Sequence, residues 1–373
     1  MNILIIGSLE SVFLYEYLLE VVDSNNAISV LSLSNESNIS NEWKAKLKDT
    51  GIKVIYPTKH TAIFKFIKKS KLIYNCFRYC LVRKYDLIHF FGVPKNAFVS
   101  RLFLRCNTRV IVSYLGSDLL RAKPLQLYVQ KPLLSRAEKI SLATDYLCDY
   151  FNDHYSQKYS EKICIVKYGK ADAQEFASLI QSNNRDYCKQ AFGITHDKIV
   201  VFCGYNGSFN QRHLEIIKAL NCLPGVVKTK MVLYFHFGYM YDPNYEAAVQ
   251  NSLNDSGLIG IIDKNYYSGT KLSQLRCIAD IMLNLQDTDA LSASMIEFME
   301  ARAVVIKGDW LSYPDLDEYY LLSVPSIDSV ASLVEDIFHN YLYYYEKTSS
   351  NSGIVQNLLS WDIHKDSWRK LYL

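Results

Sequence analysis

Short apolar runs alternate with segments of helical periodicity along nearly the whole chain. The runs are NILII at Asn2–Ile6, then Ile28–Leu33, Val54–Tyr56, Leu87–Phe91, Val110–Tyr114, Lys139–Ala143 and Ile163–Val166. Short buried strands separated by helices predict a parallel sheet. At Lys198 the series restarts with KIVVFC and continues through Met231–Phe237, Leu258–Ile262, Ile281–Leu285 and Ala303–Ile306. The polar stretch QSNNRDYCKQAFG (Gln181–Gly193) lies between the two series. A chain of 373 residues also exceeds one ordinary domain. The expected class is therefore α/β, with two doubly wound domains facing a cleft. They span 1–180 and 181–350, with 351–373 a helix returning toward the N-terminal domain.

Composition removes several alternatives. MNILIIGS has no basic leader, and no run approaches the length of a bilayer span. Nine scattered cysteines without a CxxC pair read as reduced thiols in a cytoplasm, neither a disulfide frame nor a zinc site. No His–Cys cluster suggests a metal site, so no metal is expected and no cofactor is implied. The first strand ends in GSLESV, which lacks the GxGxxG of a dinucleotide dehydrogenase. Nucleic acid is not an expected partner, because basic residues without a known module are thin support.

In parallel sheets ligands gather at the carboxyl ends of strands. Two such ends stand out. The first is GYNGSFNQRH, Gly204–His213, where Gly204, Asn206 and Gly207 follow a strand and precede a helix. Glycines permit a tight turn, the helix start attracts anions, and Arg212 and His213 add charge. An ordinary strand-to-helix turn capped by Asn210 reads equally well. The second is DTDALSASMIEFME, which puts Asp289 eight residues before Glu297, with Ser292 and Ser294 at a helix start.

The acid-x7-Glu spacing, the serines between and the following helix and strand resemble the E-x7-E region of family-four-like bacterial glycosyltransferases. These have the GT-B fold of two Rossmann-like domains. Polysaccharide and O-antigen enzymes are the most similar in style, including transferases that add a dideoxyamino sugar in enterobacterial common antigen assembly. The resemblance implies transfer of a hexosyl-type sugar from a nucleotide-sugar donor to a growing glycan. It implies Glu297 on the ribose hydroxyls, Asp289 toward the donor sugar, and retention of anomeric configuration. It puts diphosphate contacts at Gly204 and the loop after it. The family's Arg directly after that glycine is Tyr205 here, and Arg212 is the expected substitute. A non-catalytic GT-B module in a glycan-assembly complex and a nucleotide-sugar epimerase are the alternatives.

Other strand ends supply further candidates. Tyr239, in HFGYMYDPNY, is expected to line the donor pocket. Asp118, in Gly116–Asp118, reads either as a base or sugar ligand on the acceptor side or as a helix cap. Gly7, Ser8 and His89 are the remaining acceptor-side candidates. Gly7 also reads as a packing glycine and His89 as a partner of backbone groups.

Residues 1–180 hold 25 Lys+Arg against 16 Asp+Glu, a net +9, whereas the rest of the chain is −6. Residues 59–84 contain eight of these cations and no acid, with Ile63, Phe66, Ile67, Ile73, Tyr74 and Phe77 at helical spacing. That pattern fits a wet domain helix or docking on an anionic membrane. A polyisoprenyl-linked acceptor and a peripheral position at the inner face of the cell membrane would follow from docking.

Overall fold

The computed structural model describes residues 1–22, 26–56, 84–93 and 107–373. The chain forms two compact units. Unit 1 comprises Met1–Ala171 with Trp361–Leu373, and unit 2 comprises Asp172–Ser360.

Unit 1 contains β1 (Asn2–Gly7), β2 (Ala27–Ser32), β3 (Lys53–Ile55), β4 (Leu87–Phe91), β5 (Arg109–Ser113), β6 (Lys139–Leu142) and β7 (Ile163–Ile165). They pair in parallel in the order β3-β2-β1-β4-β5-β6-β7. Ile3, Leu4, Ile5 and Ile6 are all fully buried, as a central parallel strand with both faces covered requires. Gly7 is a close-approach position. A Cβ there would sit 2.8 Å from both Leu14 Cδ2 and the Phe91 carbonyl oxygen. That contact lets helix Val12–Glu20 lie against the strand end.

Unit 2 contains β8 (Ile199–Cys203), β9 (Met231–His236), β10 (Gly260–Asp263), β11 (Ile281–Asn284), β12 (Val304–Gly308) and β13 (Leu322–Val324). Their order is β10-β9-β8-β11-β12-β13, again all parallel. Each face of this sheet has its own apolar core. One gathers Phe202, Met282, Phe298 and Val305, and the other Leu233, Phe235, Leu283 and Ile306. The strand order reverses beside β8, so loops after β8 and β11 diverge and open a crevice at their carboxyl ends.

The α/β doubly wound class is observed in each unit. The boundary falls at Ala171/Asp172, nine residues before the expected 180/181. Helix Ala173–Ser182 explains the difference, because Ala173, Phe176, Ala177 and Ile180 pack into the unit 2 core. Residues 351–360 also stay with unit 2, through Ile354, Val355 and Leu359. Only helix Trp361–Lys370 and the last three residues belong to unit 1. There the Trp368 indole donates to the Lys167 carbonyl at 2.8 Å, and Trp361 Nε1 donates to Glu16 Oε2 at 3.2 Å. The basic stretch 59–84 lies outside the described residues except for Lys84.

Candidate functional site

In unit 2, most of the residues singled out for a donor come together at the carboxyl ends of β8, β9 and β11. Gly204 adopts φ +73, a backbone conformation open to glycine, and a Cβ there would sit 2.4 Å from Gln211 Oε1. The loop's amides are taken up by its own side chains and by the ends of β9 and β11. Gly204 N–H donates to Leu283 O at 3.0 Å, and Gly207 N–H to Tyr239 O at 3.1 Å. Tyr205 N–H donates to Gln211 Oε1 at 3.1 Å, and Ser208 N–H to Asn206 Oδ1 at 2.9 Å. These four amides are turned inward, so they do not form the anion cradle expected of the glycine loop.

Helix Ala293–Glu300 lies beside that loop. Ser292 caps it, its hydroxyl accepting from Met295 N–H at 3.4 Å. Glu297 is one turn further on and buried, with Oε2 accepting from Arg276 Nε at 2.9 Å. Arg276 Nη2 donates to Ser294 Oγ at 3.3 Å, and the guanidinium lies 4.5 Å from the Phe298 ring centroid. Tyr239, after β9, presents its phenol to Asn206, Ser294, Arg276 and Glu297; burial raises its pKa, against the Arg276 charge. Asp289 is buried and accepts from the Tyr313 hydroxyl at 2.8 Å. Tyr205 neighbours Asp289 and Ser292, and its hydroxyl meets Gln286. Gln286 collects Asn210 Nδ2 at 2.7 Å and Gln211 Nε2 at 3.0 Å. It thereby ties the glycine loop to the end of β11.

Two candidates fall at the margin. Arg212 caps helix His213–Leu220 in the left-handed region, φ 59. Its Nε lies 3.4 Å from Asp287 and 3.7 Å from Glu215, so its charge is shared with two exposed carboxylates. His213 does not add charge. Its ring is wholly buried among Phe235, Phe237 and Tyr245, and burial lowers its pKa to about 3. It is neutral near pH 7 and belongs to the wall behind the loop.

Sequence reasoning missed Arg276, Gln286, Asn284 and Tyr313. Asn284 and Gln286 carried a signal, since both are polar residues in the buried run IMLNLQ. Arg276 carried none, because an arginine in the last turn of helix Gly269–Cys277 reads as a solvated cation favoured by the helix dipole.

Unit 1 presents its candidates separately. Asp118 joins two strand ends, Oδ2 accepting from Val93 N–H at 2.8 Å and Oδ1 from Leu115 N–H at 2.9 Å. Burial raises its pKa to about 6, while these backbone donors pull it down. Ser8 and Ser34 share a 2.6 Å hydrogen bond where β1 and β2 end. Gly7 is occupied by packing, as above. His89 is corrected: it sits mid-strand in β4, fully buried, not at a strand end. Its Nε2 meets Ser113 Oγ at 2.7 Å and its Nδ1 meets Tyr372 Oη at 2.8 Å. Burial lowers its pKa to about 3. It is a buried tether for the C-terminal segment.

Among the described residues, no group of three His, Cys, Asp or Glu could hold a metal ion. No described helix is long and apolar enough to cross a membrane.

With this geometry in place, the folds of known proteins can be compared. A glycosyltransferase from Rickettsia africae superposes with a TM-score of 0.72 at 14% identity, over 100% of this chain and 97% of that one. HepE from Anabaena, solved in complex with UDP and glucose, gives 0.72 at 12% identity, over 100% and 99%. WaaG, a glycosyltransferase involved in lipopolysaccharide biosynthesis, gives 0.67 at 14% identity, over 100% and 98%. No protein-family model matches the chain, and no curated protein matches it in sequence. The chain has the GT-B fold that these glycosyltransferases share.

Proposed function

We propose that the chain is a glycosyltransferase that moves a sugar from a nucleotide-sugar donor to a growing, lipid-linked bacterial surface glycan. The observation that carries this reading is the convergence of Asp289, Ser292, Ser294 and Glu297 with Asn206 and Tyr239 at the carboxyl ends of β8, β9 and β11. The UDP and glucose held by HepE, a protein of the same fold, support a nucleoside diphosphate donor.

In this reading Glu297 accepts hydrogen bonds from the ribose hydroxyls. The Met295 amide of helix Ala293–Glu300 is taken by the Ser292 cap, but the Ala293 and Ser294 amides have no intrahelical acceptor, and with Arg212 at the margin they take the diphosphate. This replaces the amides of the glycine loop, which are taken by Leu283, Gln211, Tyr239 and Asn206. Asp289, oriented by Tyr313, faces the donor sugar. In the reaction the bond from the anomeric carbon to the diphosphate oxygen breaks, and one to the acceptor oxygen forms. The acceptor hydroxyl loses its proton to a base; Asp118 is the candidate that the sequence supplies, its two oxygens accepting from the Val93 and Leu115 amides. The acceptor reading also draws on the basic stretch 59–84, whose charge suits an anionic lipid surface at the cytoplasmic face.

One observation favours a second reading, a non-catalytic GT-B module. Tyr205 occupies the position where the resemblance leads one to expect Arg, and the loop amides are turned inward. Incubation with a panel of UDP-, GDP- and dTDP-sugars separates the two. A transferase releases nucleoside diphosphate from at least one, slowly by hydrolysis without acceptor. A binding module is stabilised by one of them and releases nothing.

A further inference from the structure

Three side-chain amides in unit 2 are almost wholly buried, Gln211 at 1% exposure and Asn284 and Gln286 at 0%. They form one hydrogen-bonded chain with Tyr313 and Asp289, and the chain has a direction. An amide oxygen only accepts and an amide nitrogen only donates, so each link fixes the next. The start is a backbone N–H, which cannot reverse. Tyr205 N–H donates to Gln211 Oε1 at 3.1 Å, which leaves Gln211 Nε2 to donate to Gln286 Oε1 at 3.0 Å. Asn210 Nδ2 donates to the same Gln286 oxygen at 2.7 Å and enforces the same sense. Gln286 Nε2 then donates to Asn284 Oδ1 at 3.0 Å, and Asn284 Nδ2 to the Tyr313 hydroxyl oxygen at 2.8 Å. That oxygen receives a proton from Asn284, so its own proton goes to Asp289 Oδ2 at 2.8 Å.

Two further features fit this chain. A Cβ at Gly204 would sit 2.4 Å from Gln211 Oε1, the first acceptor, so the glycine makes room for the chain's first link. Burial and the Asp289 charge keep the Tyr313 phenol protonated, and Tyr205, likewise kept protonated by burial, also faces Asp289. A donor aimed at a carboxylate oxygen favours its charged form and restricts its rotation.

We propose that Gln211, Gln286, Asn284 and Tyr313 are positioning residues that hold Asp289 as a fixed, ionised hydrogen-bond acceptor toward the donor sugar, and that Gly204 serves this chain rather than the diphosphate. The inference rests on the donor reading of Asp289 given above.

Steady-state release of nucleoside diphosphate from UDP-, GDP- and dTDP-sugars, measured on the full chain over a range of pH, tests it. Tyr313→Phe keeps the ring and removes the donor. Its kcat falls at least about tenfold while KM stays within about threefold, the scale of one hydrogen bond to a charged group that matters in the reacting complex. The acid side of its kcat profile moves up by about one pH unit, because a carboxylate without its donor takes a proton at higher pH. A role in packing alone would not move that profile. Asn284→Leu breaks the preceding link and shifts kcat and the profile in the same direction. Added to Tyr313→Phe it costs less than about a further twofold, because both act through one hydrogen bond. Should Tyr313→Phe lose cooperative unfolding, Asn284→Leu takes its place. A folded variant whose kcat or pH profile matches wild type, or one that raises KM alone, overturns this inference and leaves the donor reading standing. A wild type that releases nucleoside diphosphate from none of the donors overturns both together.

Discussion

Glu297 illustrates why a site residue and a structural residue are hard to separate by alanine substitution. Its carboxylate balances a guanidinium that is itself buried. Glu297→Ala leaves that cation uncompensated and is expected to cost about 3–5 kcal/mol of unit 2 stability. Glu297→Gln keeps a side-chain oxygen for Arg276 and is expected to cost less than half as much. Urea unfolding of both variants checks this, and equal losses would show that the pair contributes nothing specific. Arg212 behaves differently, because it is partly exposed and shares its charge with Asp287 and Glu215. Arg212→Ala should weaken nucleoside diphosphates by less than about tenfold, given the small worth of exposed pairs, and leave nucleosides unchanged. Equal losses for both ligand types in a titration would remove Arg212 from the phosphate side. Neither residue's setting was legible from the chain. Glu297 could be placed by its spacing from Asp289, but its partner lies on another helix, 21 residues back.

At the scale of elements, the strands were legible because parallel strands bury both faces and so read as continuous apolar runs. β13 was not, since it has three residues at a sheet edge and only Val324 is buried. His89 was misplaced for a different reason. The apolar run Leu87–Phe91 already put it mid-strand, whereas its partner Tyr372, 283 residues away, is announced by no local pattern. The C-terminal segment gives unit 1 a specific acid response. In the folded state the His89 pKa is about 3, against 6.5 for the exposed side chain. The unfolded chain therefore binds the extra proton first, and stability is full above pH 6.5 and declines as pH falls toward 3. Asp118, whose pKa is raised to about 6, works in the opposite direction over the same range, so a variant comparison is needed. In His89→Asn the His89 contribution is absent. The stability gap to wild type should narrow by about 2 kcal/mol between pH 7.5 and pH 5. Urea titrations followed by tryptophan fluorescence measure it, since Trp43, Trp361 and Trp368 report on unit 1. A gap independent of pH would mean that His89 is not neutral in the fold.

For the whole molecule, charge is distributed unevenly, +9 in residues 1–180 and −6 in the remainder. If the acceptor is lipid-linked, Gln at Lys65, Lys68, Lys69 and Arg78 should reduce sedimentation with anionic vesicles. Four charges set an upper limit of ~4 kcal/mol, and the effect should shrink at high salt. A wild type that ignores anionic vesicles at low salt would point to a soluble acceptor. The central claim, however, is that unit 2 holds a nucleotide through Glu297. Calorimetric titration of wild type and Glu297→Gln with UDP, GDP, dTDP, ADP and CDP tests it most directly. The account predicts that the wild type binds at least one of them, and that Glu297→Gln binds it about 10–150-fold more weakly, the cost of a lost charge-assisted hydrogen bond. A wild type that binds none, or a folded Glu297→Gln that binds as tightly as wild type, would contradict it.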